Sequence, residues 1–414
     1  MAIDLSPFGW AGLSLSLDLH DLVRSLPSWR HLNILQDANA TALRFPNAPL
    51  TSPDISGSFI PGYTKGAILN SKGSYSNIYY GRRTLYKCKS LVGDRLDVSR
   101  WVPPHDIAIK EIYLNITKEE DTASPQSRHD AYEDEISAIL YEAVIHVLVY
   151  KSLDFVGLSR YTPRMYEIVA EAVPPSDSPT HITSIWFCME LLKGSTMDEY
   201  LRKHLVKSNR AMNEVILTDF LIQCAVVLNH LQTKLRFHHR DLKLNNIYQR
   251  EPSTGIRAPL TLPNGVKWVP TLDLVLLDFG FSCIACGSIS RTPRSTLVGA
   301  GSWFTLDDDC CKEGRDMAQL IFSLHCHFPL QDYVGADYLS FFRHVMMATD
   351  HGRPIQILNG FTPDGHLLAA GTPFDYHNGI YHFLKRNSVD IPLCKPSVFL
   401  DLLCDLGGFI PEGT

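Results

Sequence analysis

The chain has 414 residues, 45% of them hydrophobic and 20% charged, with a formal net charge of −6. That composition is enough for a sizeable core and excludes disorder throughout. The mildly acidic balance, with a pI near 6.3, excludes a general pull toward nucleic acid or anionic membrane.

In chain order, the N-terminus carries Asp4 and no Lys or Arg before Arg24, so no secretory signal is read. Ten cysteines spread over this length are too sparse for a disulfide scaffold; a reducing, intracellular and cytoplasmic setting is expected. Residues 1–60 read as an extension. Leu13, Leu15, Leu17 and Leu19 alternate as in a half-buried strand, while Leu19, Leu22 and Leu26 suit a helix equally well. Pro46 to Pro61 is a linker. From Ala67, AILNSKGSYSNIYYGRRTLYKC predicts two strands about a tight turn, and after a loop DIAIKEIYLNI predicts another strand. Residues 118–135 are a polar loop and helix start. Ile139, Glu142, Ile145, His146 and Val149 then share one helical face. The apolar stretch from Ala138 to Leu158 contains Glu142, His146, Lys151 and Asp154, which a membrane span would not carry.

ITSIWFCMELL predicts a strand leading to Gly194, and the pattern turns helical from Met197. Leu217 to Leu231 is a long helix with Leu217, Phe220, Leu221, Ala225, Leu228 and Leu231 on one stripe. TLDLVLLDFG is a strand ending in a glycine turn, and Met317 to Leu324 is helical. Strands with one helix come first and helices follow, an α+β order in which a two-layer domain joins a helical one.

Three short segments carry chemistry. HRDLKLNN follows the long helix and places Asp241, Lys243 and Asn246 within eight residues. Phosphoryl transfer to a hydroxyl needs these groups: a carboxylate at the incoming oxygen, a cation at the moving phosphoryl group and an oxygen ligand for magnesium. LDFGF ends an apolar strand on Asp278, a hard oxygen donor suited to magnesium. IAIKE ends a strand on Lys110, which alone would read as a surface charge.

Together these motifs resemble the eukaryotic-type protein kinase family, in a divergent serine/threonine form, over about residues 65–325. His239, Arg240, Asp241 and Asn246 match its catalytic loop, and Asp278, Phe279 and Gly280 match its magnesium motif. The resemblance implies an α+β bilobal fold: a small antiparallel β lobe with one key helix over 61–191 and a large, mainly helical lobe over 192–414. ATP would lie in the cleft. Asp241 would orient the hydroxyl and Lys243 would stabilise the moving charge. Lys110 would hold the α- and β-phosphates, and Asn246 and Asp278 would hold Mg2+. Glu133, Glu135 and Glu142 compete as partner of Lys110. Glu142 is preferred because Ile145 and Val149 then fall in the core, although His146 stands where the family usually has an apolar residue. Gly73 and Ser74 would lie in the phosphate loop, where SKGSYSNI keeps one of the family's glycines. Met189 would be the gatekeeper, the backbone of Glu190 and Leu192 would meet the adenine, and Asp316 would brace the catalytic loop.

Departures are also plain. The connections from Ile78 to Lys110, from Lys110 to Glu142 and from Asn246 to Asp278 are long, the last resembling a surface hairpin. GAGSWFTLDDDCC stands where Ala-Pro-Glu should anchor the peptide platform. Such divergence resembles the kinases of large DNA viruses. The expected substrate is protein, with no nucleic-acid or membrane partner. A nucleotide-binding scaffold without turnover and a small-molecule kinase are the alternatives. Arg240 could pair with a phosphate on the segment holding Ser288, Ser290, Thr292, Ser295 and Thr296. Cys283, Cys286, Cys310, Cys311, His325, Cys326 and His327 form a weak zinc candidate.

Overall fold

The computed structural model describes residues 40–41, 63–70, 76–83, 86–92, 95–102, 105–114, 139, 142–143, 145–173, 181–251, 257–262, 265–284, 313–350, 353–356 and 390–406. Gly73 and Ser74, which the resemblance places in a phosphate loop, lie outside them. So do Glu133, Glu135, the serines and threonines of 288–296, and GAGSWFTLDDDCC. The protein mixes α and β structure, with an antiparallel sheet and several helices. The chain divides into two compact units. One comprises residues 1–151, 163–192 and 293–301, and the other 152–162, 193–292 and 302–414.

Among the described residues, the first unit holds the strands β1 (Ala40–Thr41), β2 (Tyr63–Asn70), β3 (Ser76–Arg83), β4 (Tyr86–Val92), β5 (Arg95–Val102), β6 (His105–Tyr113), β7 (Met165–Val173) and β8 (His181–Glu190). Six of them form one sheet in the order β1-β7-β8-β6-β3-β2, with every neighbouring pair antiparallel. β6 lies inside the sheet, and its Ile107, Ala108, Ile109 and Ile112 are buried. Because consecutive residues of β6 are buried, both of its faces are covered there, and it reads as a continuous apolar run rather than an alternation. Helix α1 spans 145–155, with residues 139, 142 and 143 also helical. Ile139, Ala143, Ile145, Leu148 and Val149 are its buried face, the spacing expected of a core-facing helix.

Two elements here differ from the sequence expectation. The stretch read as a loop before DIAIK holds an antiparallel ribbon, β4 with β5. MYEIVAEAV, which drew no prediction, is β7 and pairs along β8. Acidic residues at Glu167 and Glu171 interrupt its apolar pattern, which is why periodicity missed it.

In the second unit, helix α2 (Met197–His204) starts at a reciprocal cap. Thr196 accepts the Glu199 N–H, and the Glu199 side chain accepts the Thr196 N–H, satisfying two otherwise orphaned donors. Helix α3 (Arg210–Leu235) is buried without a break from Ile216 to Ala225. The single stripe expected from the sequence is therefore incomplete, because this helix is surrounded by core. Among the described residues it alone has the length and hydropathy to cross a membrane, and 72% of that window is buried inside the protein.

A three-stranded sheet of β9 (Gly194–Thr196), β11 (Ile247–Arg250) and β14 (Leu274–Leu276) and a ribbon of β10 (Phe237–His238) with β15 (Cys283–Ile284) frame the loop between α3 and β11. Gly194 sits at φ +144 with its Cα against the Gln249 carbonyl, so any side chain would strike β11. The hairpin β12 (Leu260–Thr261) with β13 (Lys267–Trp268) is more than a surface insertion. Leu260, Leu262 and Trp268 are buried. The α3 carboxylate of Asp219 accepts the Trp268 indole N–H at 2.6 Å, the Thr271 N–H at 2.8 Å and hydroxyl at 2.6 Å, and the Leu272 N–H at 2.8 Å.

Helix α4 (Arg315–His327) follows Gly314, which adopts φ +74 beside the Ile391 carbonyl. Helix α5 (Ala336–Val345), the ribbon β16 (Met347–Asp350) with β17 (Arg353–Gln356) and helix α6 (Pro396–Asp405) complete the unit.

Candidate active site

In the first unit, Lys110 lies on β6 between Ile78 of β3 and Phe187 of β8. Its Nζ donates to Glu142 Oε1 at 2.6 Å, and the two side chains are only 13% and 11% exposed. A close ion pair largely removed from water fixes both groups, since moving either would leave a charge desolvated and unpaired. Glu142, the preferred one of the three carboxylates weighed from the sequence, is thus paired with Lys110. One turn along α1, His146 is 4% exposed, and its Nε2 lies 2.7 Å from the Pro163 carbonyl. Because a carbonyl only accepts, Nε2 carries the proton. Burial pushes the ring's pKa down to about 4, the Pro163 bond opposes this and Lys110 adds to it.

Met189 and Glu190 end β8 opposite Ala108 and Ile107. The Glu190 N–H donates to the Arg164 carbonyl at 2.8 Å, and the Arg164 N–H donates to Glu190 Oε2 at 3.2 Å. Leu192 follows outside any strand and is half-buried.

In the second unit the loop between β10 and β11 carries the other predicted residues. Asp241 Oδ2 accepts from Lys243 Nζ at 2.8 Å and from Asn246 Nδ2 at 2.9 Å. The same amide nitrogen donates to the Asp241 carbonyl at 2.8 Å. With Nδ2 committed this way, the Asn246 side chain turns its oxygen elsewhere, as a ligand for a hard cation must. The Leu277 N–H donates to the Asn246 carbonyl at 2.9 Å, and His239 Nε2 donates to the Leu277 carbonyl at 2.9 Å. Leu277, the residue before Asp278, is therefore tied through both its N–H and its carbonyl to the 239–246 loop. Phe279 is buried, its ring 5.6 Å from that of His239 and 6.0 Å from that of Phe237.

Backbone strain marks the same two motifs. Among the described residues, non-glycine positive φ occurs at Arg236, Arg240 and Asp278. Arg236 closes α3 in the left-handed conformation usual for a helix end. The other two fall inside HRD and DFG. Each costs about 1–3 kcal/mol and persists only where its surroundings over-determine it. At Arg240 those surroundings are visible. Asp316, fully buried, accepts the His239 N–H and the Arg240 N–H at 2.9 Å each. Gln319 donates to the Arg240 carbonyl at 3.0 Å, and the Ser323 hydroxyl accepts the Leu244 N–H at 3.1 Å.

Asp316 thus braces the loop. Gln319 and Ser323 were missed from sequence, although a signal existed. Asp316, Gln319 and Ser323 fall at i, i+3 and i+7 of an otherwise apolar helix, one polar face where core is expected.

The Cys/His cluster does not converge among the described residues. Cys283 is disulfide-bonded. On α4, the half-buried His325 ring lies 5.6 Å from that of Phe342, Cys326 is a free thiol whose pKa burial pushes up, and His327 contacts Asp198 at 2.7 Å. Consecutive helical residues point about 100° apart, so such a run cannot close on one ion. Cys286, Cys310 and Cys311 lie outside the described residues.

No family model matches the chain.

Proposed function

We propose that the protein is an ATP- and magnesium-dependent protein kinase that phosphorylates Ser or Thr hydroxyls, built on the bilobal fold its motifs resemble. The observation that carries this reading is the 239–246 loop. There a carboxylate, a lysine and an asparagine occupy one hydrogen-bonded cluster on a strained backbone clamped by a buried aspartate. A merely structural turn has no need of that strain.

In this reading Lys110, held by Glu142, binds the α- and β-phosphates. An adenine would take the Glu190 carbonyl rather than its N–H, which Arg164 already engages, together with the Leu192 backbone. Asp241 accepts a hydrogen bond from the substrate hydroxyl and orients its oxygen toward the γ-phosphorus. Lys243, 40% exposed, reaches the phosphoryl oxygens as charge develops there. The Asn246 amide oxygen and the Asp278 carboxylate are the hard donors that would hold magnesium, and the ion would neutralise phosphate charge. An intracellular, cytoplasmic setting would supply the ATP. The disulfide at Cys283 is a feature that a reducing compartment does not ordinarily keep.

The test is transfer of labelled phosphate from ATP and magnesium to a basic protein, an acidic protein and the enzyme itself, beside sugar and choline acceptors. Labelling of protein Ser or Thr is expected. Labelling of the small acceptors alone would move the reading to a small-molecule kinase. ATP binding with no transfer to any acceptor would leave a scaffold.

A further inference from the structure

His146 is the polar residue that the kinase resemblance does not account for. It lies four residues beyond Glu142, hence on the same face of the helix. It is buried, and its ring nitrogen donates to the carbonyl of Pro163 at 2.7 Å. The next residue, Arg164, is bonded twice to Glu190, through its carbonyl at 2.8 Å and through its N–H at 3.2 Å. Three hydrogen-bonded steps therefore lie in succession: Lys110 to Glu142, His146 to Pro163 and Arg164 to Glu190, the first two joined by one helical turn and the last two by the Pro163–Arg164 peptide bond. Every residue in these steps belongs to the first unit.

From this we infer that His146 is a positioning residue that locks the Lys110–Glu142 pair in register with the Glu190 edge. The inference rests on the nucleotide reading for its purpose, since Lys110 and Glu190 are the residues assigned there to the phosphates and the adenine of one ATP. The physical claim stands on the geometry. An apolar side chain at this position would fill the space and leave the Pro163 carbonyl without its donor. The helix would then be fixed by packing alone, which resists sliding less well than a directional bond. Burial, helped by the nearby Lys110 ammonium, favours the neutral ring, and the single N–H of that form is the one donated.

The experiment compares His146→Leu, which removes the donor, with His146→Gln, whose amide nitrogen reaches about as far as Nε2 and can restore it. Glu142→Gln serves as the reference for a broken pair. The first readout needs no nucleotide: the rate at which Lys110 is acetylated by an amine-directed reagent, followed by peptide mass spectrometry. A lysine held as ammonium by a carboxylate is a poor nucleophile, so Glu142→Gln should raise that rate several-fold. His146→Leu should raise it in the same direction, and His146→Gln should stay close to wild type. In the transfer assay His146→Leu should raise KM for ATP more than it lowers kcat, with recovery in His146→Gln. Wild-type labelling of Lys110 in His146→Leu would overturn the inference, as would a Glu142→Gln variant without effect. If the wild type transfers no phosphate, the functional reading fails, while the labelling rates still decide the role of His146.

Discussion

Lys110 rides on an interior strand of a six-stranded sheet, with ladders on both sides, whereas Asp241 rides on a loop that has no ladder of its own. On the strand, Lys110 is held by its ion pair with Glu142. The loop needs a buried carboxylate, an amide and a hydroxyl from α4, the Leu277 bridge, and an aromatic contact between His239 and Phe279. The difference follows from the backbone. A strand satisfies its own N–H and C=O groups through its neighbours, while a loop with a residue at positive φ must borrow partners from elsewhere. Damage should therefore spread differently in the two units.

Removing the loop's main anchor should have the largest effect on stability. Asp316→Asn places an amide donor where one of the two backbone N–H groups needs an acceptor, and should lower stability by about 3–5 kcal/mol, the scale of losing charge-assisted bonds in a buried site. Urea unfolding measures it. A loss under about 1 kcal/mol would mean that the loop holds its shape without α4.

Acidification probes both units together. The His146 and His325 pKa values are each lowered to about 4, chiefly by burial, against about 6.5 in an unfolded chain. Between pH 6.5 and 4 the unfolded state binds more protons, so stability is fully present above pH 6.5 and falls as pH drops toward 4. Each ring contributes at most on the order of 3 kcal/mol. Denaturation midpoints at pH 7 and pH 5 should differ less in His325→Leu than in wild type. His146→Leu should show the same reduction if the first unit unfolds with the second.

The smallest of these effects sharpens the comparison most. Gln319→Leu removes one neutral hydrogen bond, about 1 kcal/mol, yet it loosens the carbonyl of the strained Arg240. Its expected signature is a lower kcat with KM for ATP unchanged, the opposite split from His146→Leu. Steady-state kinetics on both variants would show whether the two anchors act on separate steps.

How much of this was legible beforehand varies with the kind of signal. The motif residues could be named because their chemistry is local: Asp241, Lys243 and Asn246 lie within six positions, and Asp278 follows two residues after the apolar strand β14. Glu142 was reachable because helical spacing put Ile145 and Val149 in the core beside it. β7 was not, because its acidic residues break the alternation, and the β4–β5 ribbon lay in a stretch read as a loop. Asp219 gave no sign of its role, since a lone acid inside an apolar helix says nothing about the distant Trp268 and Thr271 that it binds. Contacts across tens of residues are set by packing, which periodicity does not encode.

The measurement that bears most directly on the central claim is phosphate transfer from labelled ATP with magnesium, in wild type and in Asp241→Asn. The account predicts labelled Ser or Thr with the wild type and a loss of about 10²–10⁴ in rate with the variant, with ATP binding kept in both. Equal labelling by the two proteins would contradict the role given to Asp241 and, with it, the reading of the 239–246 loop.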